Sequence, residues 1–179
     1  SEMCIRDSSN SEHADNIAPA ILGGFTLVRS THPLEVLQLP TPRDLYAVIV
    51  HPQIEIKTAE SRALLPKKIL LSEAITQWSN VGSMVHALHS SNYKLLGQSL
   101  KDVIIEPLRS QSIPNFDALK KISLESAALG FTISGSGPSV FSLCRGQKIA
   151  AEIQKAQEAF MKENDTEFEI HVSKINTQG

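Results

Sequence analysis

The run Thr132-Ile133-Ser134-Gly135-Ser136-Gly137-Pro138-Ser139 stands between two apolar segments, Leu129 to Ile133 before it and Val140 to Cys144 after it. Both flanks read as buried strands, because β-branched and aromatic residues suit a pleated, half-buried surface. Between them, Gly135 and Gly137 can take positive φ, which turns the chain tightly and lets its backbone approach a ligand. Pro138 fixes the exit from the turn and removes one donor. Successive N–H groups, with the hydroxyls of Ser134, Ser136 and Ser139, can line an anion-binding concavity. A plain hairpin turn asks for the same small residues. The run therefore argues for two adjacent strands more strongly than for any chemistry.

Working outward, Asn115 to Gly130 reads as a helix with Phe116, Leu119, Ile122 and Leu129 on one side and Gly130 as its stop. Tyr93 to Ile105 is another, broken by Pro107. A third starts at Ser72, with Ile75, Trp78, Val81, Val85 and Leu88 at helical spacing. Leu45 to Val50 is a nearly continuous apolar run without helical end signals, which predicts a buried central strand. Ile54 to Lys57 alternates, and Thr58 then offers an N-cap for a short helix from Ala59 to Leu65, ended by Pro66. Downstream of the loop, Ile149 to Lys162 is amphipathic through Ile153, Ala156 and Phe160, and Phe168 to Ile175 alternates as a strand. Upstream, Asp15 or Asn16 can cap a short helix ended by Gly23-Gly24, before strands at Phe25 to Arg29 and Leu34 to Leu39. This order predicts an α+β domain of ferredoxin-like, split βαβ character over residues 31–179. Residues 1–8 (SEMCIRDS) show neither period nor cap and are set aside as a scar.

Of the 179 residues, 41% are hydrophobic and 20% charged, as in ordinary globular chains. With 17 basic against 19 acidic residues there is no global basic footprint for nucleic acid. Cys4 and Cys144 belong to no C-x-x-C pair, which argues against a zinc ribbon or a disulfide framework. No apolar run approaches the roughly 18 residues of a membrane helix, and the first residues lack a signal-peptide pattern. A cytoplasmic protein that binds neither nucleic acid nor membrane is expected.

Four polar clusters are candidates for chemistry, each with a plainer alternative. His13-Ala14-Asp15-Asn16 precedes a helix N-terminus, where anions are favoured, and would equally serve as capping. Thr58 and Arg62 share a helix face at four-residue spacing; a cap and a solvated arginine explain them as well. Glu106-Pro107-Leu108-Arg109 sets an acid and a base beside a helix break, where a surface ion pair is usual. The glycine-serine run is the fourth. His51, His86, His89 and His171 show no metal-ligand spacing.

Taken together and in order, HADNIAPAILGGFTLV, IKTAESRALLP, DVIIEPLRSQSIPNF and GFTISGSGPSVFSLC resemble the GHMP small-molecule kinase superfamily and, within it, the homoserine branch. The resemblance covers residues 9–179. It implies transfer of the ATP γ-phosphoryl group to the hydroxyl of L-homoserine, with Mg2+, on the route to threonine. It implies that His13 and Asn16 meet the substrate, with Thr58, Arg62 and Arg109 around the amino-acid end. An arginine suits a carboxylate because its planar fork gives two parallel hydrogen bonds. Asp15 matches the acidic residue that relatives hold near the accepting hydroxyl, and Asp15 and Asn16 are the catalytic candidates. Gly130, Ser134, Gly135, Ser136, Gly137 and Ser139 match the glycine-rich motif beside the phosphate site. Residues 9–30 would be a remnant of the superfamily's N-terminal, ribosomal-protein-S5-like domain, and 31–179 its C-terminal domain.

The 179 residues also depart from that pattern. They contain no proline-then-glycine-serine phosphate loop leading into a helix, the element whose amides would hold the nucleotide. The expected magnesium-binding glutamate, about eight residues before His13, is Ile5. The implied ATP and Mg2+ thus belong to an intact enzyme, and the chain by itself is expected to be inactive. Alternatives are a GHMP kinase for another small alcohol and a non-catalytic ligand-binding module. Apolar surface around Ile17 to Val28 is expected to be exposed, a patch for aggregation or for a homodimer.

Overall fold

The computed structural model describes residues 5–6, 12–56, 61, 63–165 and 167–179. Its elements are β1 (Ile5–Arg6), β2 (Glu12–His13), α1 (Ile17–Leu22), β3 (Phe25–Thr31), β4 (Leu34–Leu39), β5 (Leu45–Pro52), α2 (Leu71–Ser90) and α3 (Tyr93–Ser99). They continue with α4 (Glu106–Arg109), a 3-10 turn (Ser110–Ser112), α5 (Phe116–Glu125), β6 (Gly130–Ile133), β7 (Val140–Arg145), α6 (Gln147–Glu163) and β8 (Phe168–Lys174). The architecture is mixed α+β.

Strand β5, LYAVIVHP, is too apolar to serve as an edge and is instead central. It pairs antiparallel with β7 on one side and β8 on the other, and β6 joins β7, giving a four-stranded sheet ordered β6-β7-β5-β8. Alternate residues of β5 meet different neighbours. Val48 packs with Cys144 and with Ala150 and Ile153 of α6, while Val50 packs with Phe131, Val140, Met161 and, from α5, Phe116 and Leu119. The Phe116 and Phe131 rings meet edge to face, with centroids 5.3 Å apart. On the other set, Leu45 packs with Leu88 of α2, Leu96 of α3, and Phe25 and Leu39 of the β3–β4 hairpin. Full burial of one such aliphatic side chain is worth about 1.5–3 kcal/mol.

Where α3 meets β6 the backbones touch. A Cβ on Gly97 would lie 2.2 Å from the Leu129 carbonyl oxygen, and one on Gly130 would lie 2.8 Å from Leu100 Cδ1 and 3.3 Å from the Gly97 oxygen. Gly130 therefore has a packing task, and it is not the stop of the preceding helix. Helix α5 ends at Glu125 in a Schellman arrangement, with Ala127 N–H donating to the Leu124 carbonyl and Ala128 N–H to that of Ser123. Ala127, at φ +66, occupies the left-handed position usually given to glycine, which is why the sequence places the stop too late.

Helix α3 is also shorter than its apolar pattern predicts, ending at Ser99. Asp102 Oδ1 accepts the N–H groups of Ile104 and Ile105 at 2.8 and 2.9 Å, a local turn that competes with helix. Pro107 does not break this helix but sits in the first turn of the next, where its missing N–H costs little. Residues 54–56 do not join the sheet, and the helix expected over Ala59 to Leu65 lies partly outside the described residues. Within α2 the predicted apolar side is uncovered along its first turns: Ile75, Trp78 and Val81 are exposed, and only Ala74, Ala87 and Leu88 are buried. Around Ile17 to Val28, where an apolar patch is expected, Ile21 is exposed, Ile17, Leu22, Phe25, Leu27 and Val28 are half-buried, and Ala18 is buried. Exposed apolar side chains also gather at Ile69, Leu70, Leu71, Ile75 and Trp78. Among the described residues, no helix is long and apolar enough to cross a membrane.

Candidate functional site

The glycine-serine run leaves β6 at Ile133 and enters β7 at Val140. Its base is closed by Ser134 N–H donating to the Ser139 carbonyl at 2.8 Å, and its interior by Gly137 N–H donating to the Ser134 carbonyl at 3.0 Å. Gly135 at φ +59 and Gly137 at φ +84 lie in the left-handed region, as the sequence predicts. A Cβ on Gly135 would meet nothing within 4 Å, whereas one on Gly137 would lie 3.1 Å from Ile113 Cδ1. The loop thus has an open tip and a packed shoulder.

Three side chains from elsewhere hold it. Arg109, at the end of α4, donates from Nη1 to the Gly135 carbonyl at 2.9 Å. Ser61, 2% exposed, donates its hydroxyl to the Ser136 carbonyl at 3.3 Å. His51, near the end of β5, lies with Nδ1 2.8 Å from Ser139 Oγ. Two of the loop's carbonyls are therefore turned to protein donors. Helix α4 is itself anchored, since Glu106 is buried and pairs through Oε1 with Lys120 of α5. Glu106 Oε2 and Arg109 Nε are buried without a hydrogen-bond partner among the described residues.

The predicted site residues do not all come together. Arg109, Ser134, Gly135, Ser136, Gly137 and Ser139 come together at the loop. Asp15 and Asn16 are exposed beside α1, where Asp15 Oδ1 accepts the Asn16 N–H at 3.1 Å; Asn16 occupies the N-cap position but makes no side-chain cap. Among the described residues neither bonds to the loop. His13 is a β2 residue whose backbone pairs opposite Ile5. Thr58 and Arg62 lie outside the described residues. An open groove of about 390 Å3 lined by Pro66, Ile69, Leu70, Val103, Ile104 and Leu108 includes none of the predicted residues.

Sequence reasoning passed over Ser61 and His51. Ser61 sits inside the same IKTAESRALLP segment as Thr58 and Arg62. The signal for His51 lay in register: the run of β5 that pairs with β7 ends at Val50, which faces Val140, so the next residues out are His51 and Ser139.

A model of the GHMP kinases C terminal matches residues 84–163. Homoserine kinase of Chlorobium phaeobacteroides is 44% identical over 177 residues, 97% of this chain and 55% of that protein. The crystal structure of homoserine kinase from Cytophaga hutchinsonii superposes with TM-score 0.92 at 46% identity, covering 96% of this chain and 55% of that one. A mevalonate kinase of L. major shares the fold, with TM-score 0.59 at 18% identity over 82% of this chain and 47% of its own. The chain spans about half the length of the curated relatives it matches.

Proposed function

We propose that the chain is the C-terminal part of a homoserine kinase, which with its phosphate loop transfers the ATP γ-phosphoryl group to L-homoserine in the cytoplasm. The observation that carries this is similarity to homoserine kinases over nearly the whole chain, at 44% identity across 97% of it. In that reading residues 9–30 belong to the N-terminal domain and 31–179 to a ferredoxin-like domain, whose architecture the sheet order β6-β7-β5-β8 supports. The β3–β4 hairpin, with Phe25 facing Leu39, spans the join.

The geometry supports a division of labour. Phosphoryl transfer depends on positioning and charge stabilisation more than on covalent help. Arg109 donates from Nη1 to the loop, so a guanidinium that also met the substrate carboxylate would tie the amino-acid end to the phosphate end. Thr58, Arg62, His13 and Asn16 would complete the substrate side, and Asp15 would serve near the acceptor hydroxyl. The glycine-serine loop, its Gly135 and Ser136 carbonyls engaged by protein donors, would border the phosphates with its remaining polar groups. The residues present do not fit Mg2+: Ile5 has no oxygen donor, and the described residues contain no group of three His, Cys, Asp or Glu able to hold a metal. A homodimer belongs to the same proposal.

The test joins this chain to the N-terminal part of the Chlorobium phaeobacteroides enzyme and offers ATP with L-homoserine or R-mevalonate. Phosphorylation of L-homoserine alone is expected. A folded hybrid that phosphorylates neither, while the Chlorobium enzyme works beside it, would overturn the kinase reading.

A further inference from the structure

We infer that His51 is a positioning residue that latches the exit of the glycine-serine loop. The inference rests on the reading of that loop as the border of the phosphate site. Its physical basis is that two glycines at positive φ define no single path for a loop; tethers must. Arg109 and Ser61 hold the tip through the carbonyls of Gly135 and Ser136. The exit is held differently, through the Ser139 hydroxyl, which lies 2.8 Å from His51 Nδ1. Ser139 is also the residue whose carbonyl closes the loop base on Ser134. A hydroxyl is free to rotate, so an imidazole fixed on a central strand gives it one direction. His51 can do this because it is held on β5 opposite Glu169 of β8, one step beyond the Val50–Val140 pair that β5 makes with β7.

Ser139 just before β7, His51 on β5 and Glu169 on β8 thus follow one another across the end of the sheet, the residue types of a nucleophile relay. The carboxylate is turned elsewhere, with Glu169 Oε2 3.4 Å from His171 Nε2, and among the described residues it makes no hydrogen bond to His51. Without a third group to orient the imidazole as a base, the dyad holds a loop and does not generate an alkoxide. The consequence is that loop order, and not the affinity for the amino acid, is what His51 sets.

Hydrogen–deuterium exchange on the 179-residue chain tests this at the amides of residues 134–137 and 139. His51→Ala and Ser139→Ala should each speed that exchange roughly three- to tenfold, the worth of one side-chain hydrogen bond. The double variant should add nothing further, since both lose the same contact. His51→Asn, whose amide can reach where Nδ1 stood, should recover most of the protection, while amides of β7 stay as in the parent. Unchanged loop exchange in His51→Ala, acceleration spread equally over β5 and β7, or no recovery with Asn would overturn the latch. In the kinase hybrid, His51→Ala should lower kcat and leave the homoserine KM unchanged. Loop loosening in a hybrid that lacks kinase activity would overturn the kinase reading and sustain the latch, so the two failures are distinguishable.

Discussion

Helices α2 and α6 both carry apolar residues at helical spacing, and the fold treats them in opposite ways. In α6 the face Ala150, Ile153, Gln157 and Met161 is buried against the sheet. In α2 burial is confined to Ala74 near the start and Ala87 and Leu88 near the end, while Trp78 remains 65% exposed. Periodicity reports which side of a helix is apolar; it does not report whether anything covers that side. The covered helix touches the strands that carry the loop, and the uncovered one reaches Leu45 at the opposite end of β5.

The largest way to break this contrast is Ile153→Ala, which opens a cavity under the sheet. It should cost about 2–5 kcal/mol in urea unfolding, and a loss below about 1 kcal/mol would mean that α6 is not the main cover. The same layer contains its own pH probe. Burial pushes the Cys144 thiol from 9.0 up to about 11. A folded pKa above the unfolded one favours the protonated state, so this contribution is complete below pH 9.0 and is lost as pH rises toward about 11. The unfolding free energy of the parent should fall over that window with a steeper slope than that of Cys144→Ala; equal slopes would show that water reaches the thiol.

A smaller effect is expected at the end of α5. Ala127→Gly relieves a left-handed alanine at some cost in unfolded-chain entropy, for a net gain of about 0.5–1 kcal/mol. Thermal unfolding would reveal it, and a loss of stability would show that the alanine methyl has a contact worth more than its strain. Smallest of all, Trp78→Ser should change stability by no more than about 0.5 kcal/mol, while sedimentation at high protein concentration should show weaker self-association. A large stability loss would place Trp78 in the core and end the contrast.

Much of the fold was legible. The apolar run at Leu45 announced the central strand, and the alternation in Phe168 to Ile175 announced β8, because strand period and burial coincide there. The loop was legible because Gly135 and Gly137 are where positive φ is needed. The misplaced stops have local causes: Ala127 does a glycine's work, and the Asp102 turn outbids the helix through a side chain that composition does not flag. Gln157 was invisible for a different reason. It is fully buried, donating to Ser123 Oγ at 2.8 Å and Ser142 Oγ at 3.2 Å, on a face where the pattern asks for a hydrophobe. At the candidate site, Arg109 was legible as a cation beside a helix break, but its bond to the loop joins residues 26 apart in sequence, and His51 meets Ser139 across 88. No local pattern encodes such separations; strand register does.

The contact between Gly97 and Gly130 has a consequence for anyone altering this chain. Each lacks the atom that the other's surroundings would reject, so the two behave as a single position in a mutational library. Randomising either alone should return almost nothing but glycine. Recovering any other residue at one should require a compensating retreat of the Leu100 side chain or a shift of α3 as a whole. In an alignment of relatives the pair would then show as shared invariance, with any exception at one site matched by a change in the helix opposite.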